Sequence, residues 1–296
     1  MRVSVIILPI YSRRRMGEIW GHAEELGFHA AYTYDHLSWR RYRDHEWHAT
    51  IPWLTGVAAA TRTIRIGTMV ASPNFRHPVT LAKDAMTLDH VSGGRLELGV
   101  GAGGIGFDAT VLGGQVLSPR DRADRLREFV EVLDRLLREP VTSHRGAFYT
   151  VNEARMIPGC VQQPRLPLAI AATGPRTLAL TARFGDAWIT NGEPDRPDAT
   201  PSETERAVGA QLRRLEDACA SLGRDPSTIR RIFMIDNTGE RPVASVPAFE
   251  EFAGRYGALG FTDLVFHHPR ADDPVWDDPD DVVEQIATDV LPRLAD

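Results

Sequence analysis

Apolar residues gather into short unbroken runs along this chain. Residues 3–9 read VSVIILP, 30–34 AAYTY, 64–71 IRIGTMVA and 96–101 LELGVG. Then come 168–172 LAIAA, 187–190 AWIT, 230–235 RRIFMI and 262–266 TDLVF. Most are apolar at nearly every position, as strands covered on both faces require. Between them the apolar spacing lengthens to that of a helix. Ile19, Trp20, Ala23 and Leu26 share one face of residues 16–26, which stop at Gly27. Leu126, Phe129, Val130, Leu133, Leu136 and Leu137 form a stripe on 122–137. Val208, Leu212, Leu215 and Cys219 do the same on 203–222, which ends at Gly223, and a final helix is predicted over 281–294.

Eight strands with helices between them, and one helix after the last, predict a (β/α)8 TIM barrel occupying 1–296 as one domain. The rival is a doubly wound open sheet, but eight units in this length favour the barrel. The Asp- and Pro-rich stretch 272–281 (DDPVWDDPDD) reads as a surface loop, not a domain boundary. One connection is too long for a single helix. Between strands 4 and 5 the chain holds a Gly-rich loop, a helix and a hairpin over 141–151 turning at Arg145-Gly146. In a barrel, such an insertion is expected to wall the mouth of the active site.

Composition narrows the partners. With 34 basic against 40 acidic residues the net charge is −6 and the pI near 5.9. A nucleic-acid partner, which usually needs a basic face, is therefore not expected. Only two cysteines are present, Cys160 and Cys219, which fits a reducing cytoplasm and argues against a disulfide framework. The longest uncharged stretch, residues 47–61, contains His48 and Pro52 and is too short for a membrane span. The apolar N-terminus reads as a first strand, not a signal peptide.

Several short motifs carry chemistry. Gly99, Gly101 and Gly104 satisfy G-x-G-x-x-G after a strand, but no helix opens directly after them. A flexible loop at a strand's C-terminal end fits better than a dinucleotide site. His45-x-x-His48 and His267-His268 lack metal-ligand spacing, so no metal site is expected and these histidines read as solvated or hydrogen-bonded. Asp35-His36 ends the second strand, an address that reads as catalytic in a barrel, and a histidine beside a carboxylate suits acid–base work. Thr173, Gly174, Pro175 and Arg176 join the fifth strand to a helix. Their free backbone N–H groups offer a phosphate seat, with Gly174 letting an anion approach closely and Arg176 near enough to add a charge.

Together these pieces resemble the bacterial luciferase-like superfamily of flavin- and deazaflavin-dependent barrels. The resemblance spans nearly the whole chain. It is carried by Tyr34–Asp35–His36, by residues 76–103 (RHPVTLAKDAMTLDHVSGGRLELGVGAG), by residues 146–168 and by residues 172–188 (ATGPRTLALTARFGDAW). It implies a flavin-type ring in the barrel mouth. The backbone of Gly174 to Thr177 would hold its phosphate, helped by the loop of Gly103, Gly104 and Gly106, with Ala71, Ser72 and Asn74 near the ring. It also implies a non-proline cis peptide near Ala71-Ser72, behind the ring.

Two chemistries share this family. One uses coenzyme F420 for hydride transfer to or from a small organic substrate; the other is an FMNH2/O2-dependent monooxygenase, for which a flavin reductase would be a partner. An Asp-His ending on the second strand looks more like the F420-dependent members. That reading makes His36 the acid/base, with Asp35 setting its tautomer or position, in a cytoplasmic homo-oligomer. A non-catalytic flavin-binding barrel is the alternative of another class, and a metal-dependent barrel hydrolase the remaining one.

Overall fold

Among the described residues ten strands form, and eight of them close into a parallel barrel. In a computed structural model describing residues 1–193, 198–236, 240–270 and 273–294, the barrel strands are β1 (Arg2–Ile6), β2 (Ala30–Thr33), β3 (Arg65–Ala71), β4 (Leu96–Val100), β7 (Leu168–Ala171), β8 (Ala187–Thr190), β9 (Arg230–Met234) and β10 (Asp263–His267). They are hydrogen-bonded in the order β1-β10-β9-β8-β7-β4-β3-β2 and back to β1. The expected (β/α)8 barrel is the fold observed. The remaining pair, β5 (Val141–Arg145) and β6 (Thr150–Arg155), is the expected hairpin in the insertion between barrel strands 4 and 5.

The unbroken apolar runs follow from two cores. Side chains alternate across each strand, so Ile6, Tyr32, Met69, Ala169, Ile189, Ile232 and Val265 fill the barrel interior. Their neighbours Val5, Ala31, Ile66, Leu98, Ile170, Trp188 and Leu264 face the helices. Those helices are α1 (Arg13–Glu25), α2 (Thr50–Ala60), α3 (Pro78–Val91), α4 (Pro119–Arg138), α5 (Pro175–Phe184), α6 (Pro201–Ser221), α7 (Val246–Ala258) and α8 (Asp280–Gln285). Most of the long uncharged stretch 47–61 is α2. The expected final helix forms over residues 280–294, widening into a π turn at Ile286–Val290 between α8 and a last turn, Leu291–Leu294.

At the end of the barrel remote from the strands' C-termini, the interior is polar. Tyr32 Oη donates to Glu97 Oε1 at 2.6 Å, Arg230 pairs with the other Glu97 oxygen, and Arg2 holds buried Asp263 at 2.9 Å. This ionic cluster fills the floor of the barrel.

Two expectations need correction. The hairpin does not wall the mouth but packs on the outside of α3 and α4. Glu128 of α4 accepts the backbone N–H groups of Ala147, Phe148 and Tyr149, while Lys83 of α3 donates to the carbonyls of Arg155 and Ile157. Only the Gly-rich part of the insertion, before α4, borders the mouth. The 272–281 stretch is also more than a surface loop. Asp272 lies outside the described residues, but Asp273 and Asp278 are buried and pair with Arg270 and Arg241.

Candidate active site

The C-terminal ends of β3, β7, β8 and β9 enclose a slot of about 260 Å³. Its walls are small or apolar: Val70, Ala102, Ala171 and Ala172, with Thr173, Thr177 and Asn191 adding polar atoms. Behind it the β3–β4 pairing breaks register between Thr68 and Ala71, around a cis peptide at Met69-Val70. That bond was expected near Ala71-Ser72 and lies two residues earlier. Val70 reaches across to Gly101, where an added Cβ would sit 2.6 Å from Val70 Cγ2 and 3.4 Å from Ala171 Cβ. The absence of a side chain at 101 leaves room for Val70 and Ala171, and the slot's lining is mostly apolar with a few polar atoms.

Strand alternation corrects the expected roles of Asp35 and His36. Neighbouring side chains on an extended segment point to opposite faces. Tyr34 and His36 therefore aim at the mouth, and Asp35 aims away from it. Asp35 is buried and accepts a two-pronged contact from Arg76, Nε at 2.9 Å and Nη2 at 2.7 Å. It does not position His36. Asp108 does: its Oδ2 lies 2.5 Å from His36 Nδ1, and its Oδ1 accepts from the Leu37 N–H at 3.0 Å. Asp108 is 5% exposed and sits on a 3-10 turn (Phe107–Ala109) of the Gly-rich loop. A carboxylate at Nδ1 places the imidazole proton there and leaves Nε2 unprotonated. Trp47 Nε1 donates to the His36 carbonyl at 2.8 Å, and Trp39 stacks near the ring.

Beside His36 runs a second chain of polar groups. Tyr34 Oη is 2.8 Å from His267 Nε2, and His267 Nδ1 is 3.2 Å from Arg270 Nη1. A guanidinium only donates, so Nδ1 accepts and the His267 proton sits on Nε2, directed at Tyr34. The Tyr34 hydroxyl proton is then left to donate elsewhere. Burial, with Arg270 and Arg40 beside it, pushes the His267 imidazole well below its usual range, so it stays neutral. Burial, reinforced by Asp236, holds the Tyr34 phenol well above its usual value.

The other site residues named from the sequence fall into three groups. Gly103, Gly104 and Asn74 come together: Asn74 Nδ2 donates to the Gly104 carbonyl at 3.0 Å, and Gly103 combines φ +75° with a site where a Cβ would sit 2.7 Å from the Asn74 amide, both of which require glycine. Gly106 opens the turn that carries Asp108. Thr173 and Thr177 line the slot, and Gly174 caps α5 with Pro175 at its first position. Gly174 has φ −92° and open space around a built Cβ, so no left-handed strain holds it as glycine. Arg176 is already paired with both oxygens of Asp124 at 3.0 Å. Ala71 and Ser72 are buried without lining the slot. Among the histidines weighed for metal, His267 is held by Tyr34 and Arg270, His268 faces the Pro269 carbonyl, and His48 stacks on Trp53. Among the described residues, no group of three ligand-type side chains gathers around one point.

Asp108 is not singled out by the sequence, and Tyr34 and Arg76 enter there only as ends of family-like stretches, with no role given. Alternation alone puts Tyr34 in phase with His36. Asp108 has no periodicity around it to mark it.

A closed parallel barrel with a slot at the C-terminal ends of its strands, and a carboxylate-held histidine at the same end, has the architecture of barrel enzymes, whose sites lie at that face. The chain belongs to the luciferase-like monooxygenase family, whose sequence profile matches residues 8–290. It is thereby an enzyme of the oxidoreductase class. Among its relatives is the F420-dependent glucose-6-phosphate dehydrogenase of Beutenbergia cavernae, 29% identical over 92% of this chain and 90% of that protein. The 4-hydroxyprotoasukamycin monooxygenase of Streptomyces nodosus subsp. asukaensis is 35% identical over 58% of this chain and 45% of its own length. In fold, the coenzyme F420 dependent tetrahydromethanopterin reductase of Methanopyrus kandleri superposes with a TM-score of 0.73, at 18% identity and 99% coverage of both chains. Among the described residues no helix is long and apolar enough to cross a membrane.

Proposed function

We propose that this enzyme uses coenzyme F420 to exchange a hydride with a small organic substrate. The observation that carries this reading is the His36–Asp108 pair at the same end of the barrel as the slot, with no partner for Nε2 of His36 among the described residues. The full-length F420-dependent relative supports the choice of cofactor over FMN. The slot between Val70, Ala102 and Ala171 would hold the ring. The backbone N–H groups of Arg176 and Thr177, at the open end of α5, would hold its phosphate.

When bound, the cofactor supplies two-electron hydride chemistry. His36 Nε2 takes the proton from a substrate hydroxyl in the oxidative direction and returns it to the oxygen in the reductive one. Asp108 keeps the ring nitrogen in the tautomer this requires. The Tyr34 hydroxyl, turned outward by the His267 proton, donates a hydrogen bond to the same substrate oxygen. Trp39, Trp47 and Tyr42 surround this position and exclude water. The two buried free cysteines fit a cytoplasmic enzyme, and a homo-oligomer is the assembly proposed.

The test is anaerobic: oxidised F420 is mixed with the enzyme and a panel of secondary alcohols and sugar phosphates, and loss of its absorbance is followed. Turnover with at least one member, reduced about 10²–10⁴-fold by His36→Ala, is the expected result. Tight F420 binding with no turnover across the panel would instead favour a flavin-binding barrel without catalysis.

A further inference from the structure

α4 carries six arginines, and four are neutralised by carboxylates. Arg120 pairs with Asp124, Arg127 with Glu131, Arg135 with Glu139 and Arg138 with Asp134. Arg122 and Arg125 are different. Three residues apart, they lie on one face of the helix, and among the described residues neither forms an ion pair with a carboxylate. Arg122 reaches only the Gly103 carbonyl, at 3.4 Å, and Arg125 the Asn74 side-chain oxygen, at 2.5 Å. Arg125 Nε is buried with no hydrogen-bond partner among the described residues. Both sit in the first two turns of α4, where the helix dipole disfavours cations. Two half-buried positive charges placed side by side, at the wrong end of a helix, are an arrangement that an anion completes.

Their place in the fold says which anion. Gly103 follows Ala102, a wall of the slot, and Asn74 ties Arg125 to the same loop through Gly104. The packed Asn74 amide holds this rim in one shape, since Gly103 has no room for a side chain. Arg176, across the gap, is occupied by Asp124 and does not compete for the anion.

We propose that Arg122 and Arg125 form an oxyanion subsite at the rim of the slot, taking the acidic tail of a ring-bound cofactor beyond the phosphate seat at α5. Coenzyme F420 carries such a tail, a phosphodiester followed by glutamyl carboxylates, and planar guanidinium groups match both anions two-pronged. The proposal rests on the F420 reading above. An anionic group on the substrate has the same chemistry, and the test separates the two sources.

The cofactor's fluorescence is titrated with intact enzyme, the Arg122→Gln single variant and the Arg122→Gln/Arg125→Gln double variant. Two probes are used: F420 itself and its tailless deazaflavin riboside. Thermal melts check that each variant is folded. The expected result is a loss of roughly ten- to hundredfold in F420 affinity for the double variant, a smaller loss for the single one, and unchanged binding of the tailless probe. In the parent enzyme, added salt weakens F420 more than the tailless probe. Equal weakening of both probes would assign the arginines to holding the loop and overturn the proposal. Unchanged F420 affinity in a folded double variant would overturn it too, leaving the F420 reading intact. If that unchanged affinity comes with a raised KM for sugar phosphates, the anion belongs to the substrate. A parent enzyme that binds neither probe would overturn both readings at once.

Discussion

Replacing Asp108 by Asn tests the pairing on which the acid–base assignment stands. The substitution keeps the side chain's shape and volume. The amide oxygen is able to retain the bond from the Leu37 N–H, at 3.0 Å, leaving its NH2 group opposite His36 Nδ1. Two donors cannot share that contact, so Nδ1 must give up its proton and the ring switches to the Nε2–H tautomer. Nε2 then no longer accepts a proton from substrate. A positioned acid–base group contributes about 10²–10⁴-fold to rate, or roughly 2.7–5.4 kcal/mol at 1.36 kcal/mol per decade. The Asp108→Asn variant should lose turnover within that range. F420 affinity should change little, because neither residue lines the slot. Two measurements read this. Nitrogen-15 NMR of the labelled His36 ring should show the proton on Nδ1 in the parent and on Nε2 in the variant. Turnover in a double-mutant cycle with His36→Ala should be strongly non-additive, as for groups acting as one unit. Additive losses, or an unchanged tautomer with lost turnover, would refute the reasoning.

Arg76→Met leaves the Asp35 carboxylate buried without its partner; urea denaturation should show a loss of about 3–5 kcal/mol, where an exposed pair would cost almost nothing. Gly101→Ala pushes a methyl into Val70 and should cost about 1–3 kcal/mol together with F420 affinity, and Val70→Ala in the same chain should restore part of both, read by thermal melts and titration. The third prediction concerns pH. His29 is pushed down to about 4, mainly by burial, which nearby Asp263 opposes. The unfolded chain takes up a proton near pH 6.5 that the folded chain refuses until about pH 4. Stability contributed by the neutral ring is therefore full above pH 6.5 and is lost as the pH falls across that window. His29→Gln should flatten the stability profile between those values, and an unchanged slope would contradict the assignment.

The barrel was legible because both of its cores write themselves into the strands as unbroken apolar runs, and the helical stripes between them confirm the alternation. The hairpin showed through its own turn. What the sequence conceals is direction. Asp35 and His36 are adjacent in the chain and look like a pair, yet the extended backbone sends them to opposite faces, Asp35 to Arg76 and His36 to Asp108. The partner 72 residues away sits in a loop whose path depends on Gly103, Asn74 and the top of α4, none of which leaves a periodic trace. Arg176 shows the same limit: its charge was plain in the sequence and its commitment to Asp124 was not. The break in β3 was expected two residues late, because a strand end has no local marker finer than its flanking residues.

The central claim, that the slot takes a deazaflavin for hydride exchange, is most directly tested by competitive titration of the purified apoenzyme with F420 and FMN. F420 should bind at least about tenfold more tightly than FMN, and the reduced complex should transfer its hydride without consuming oxygen. Preference for FMN, with oxygen uptake by the reduced complex, would contradict it.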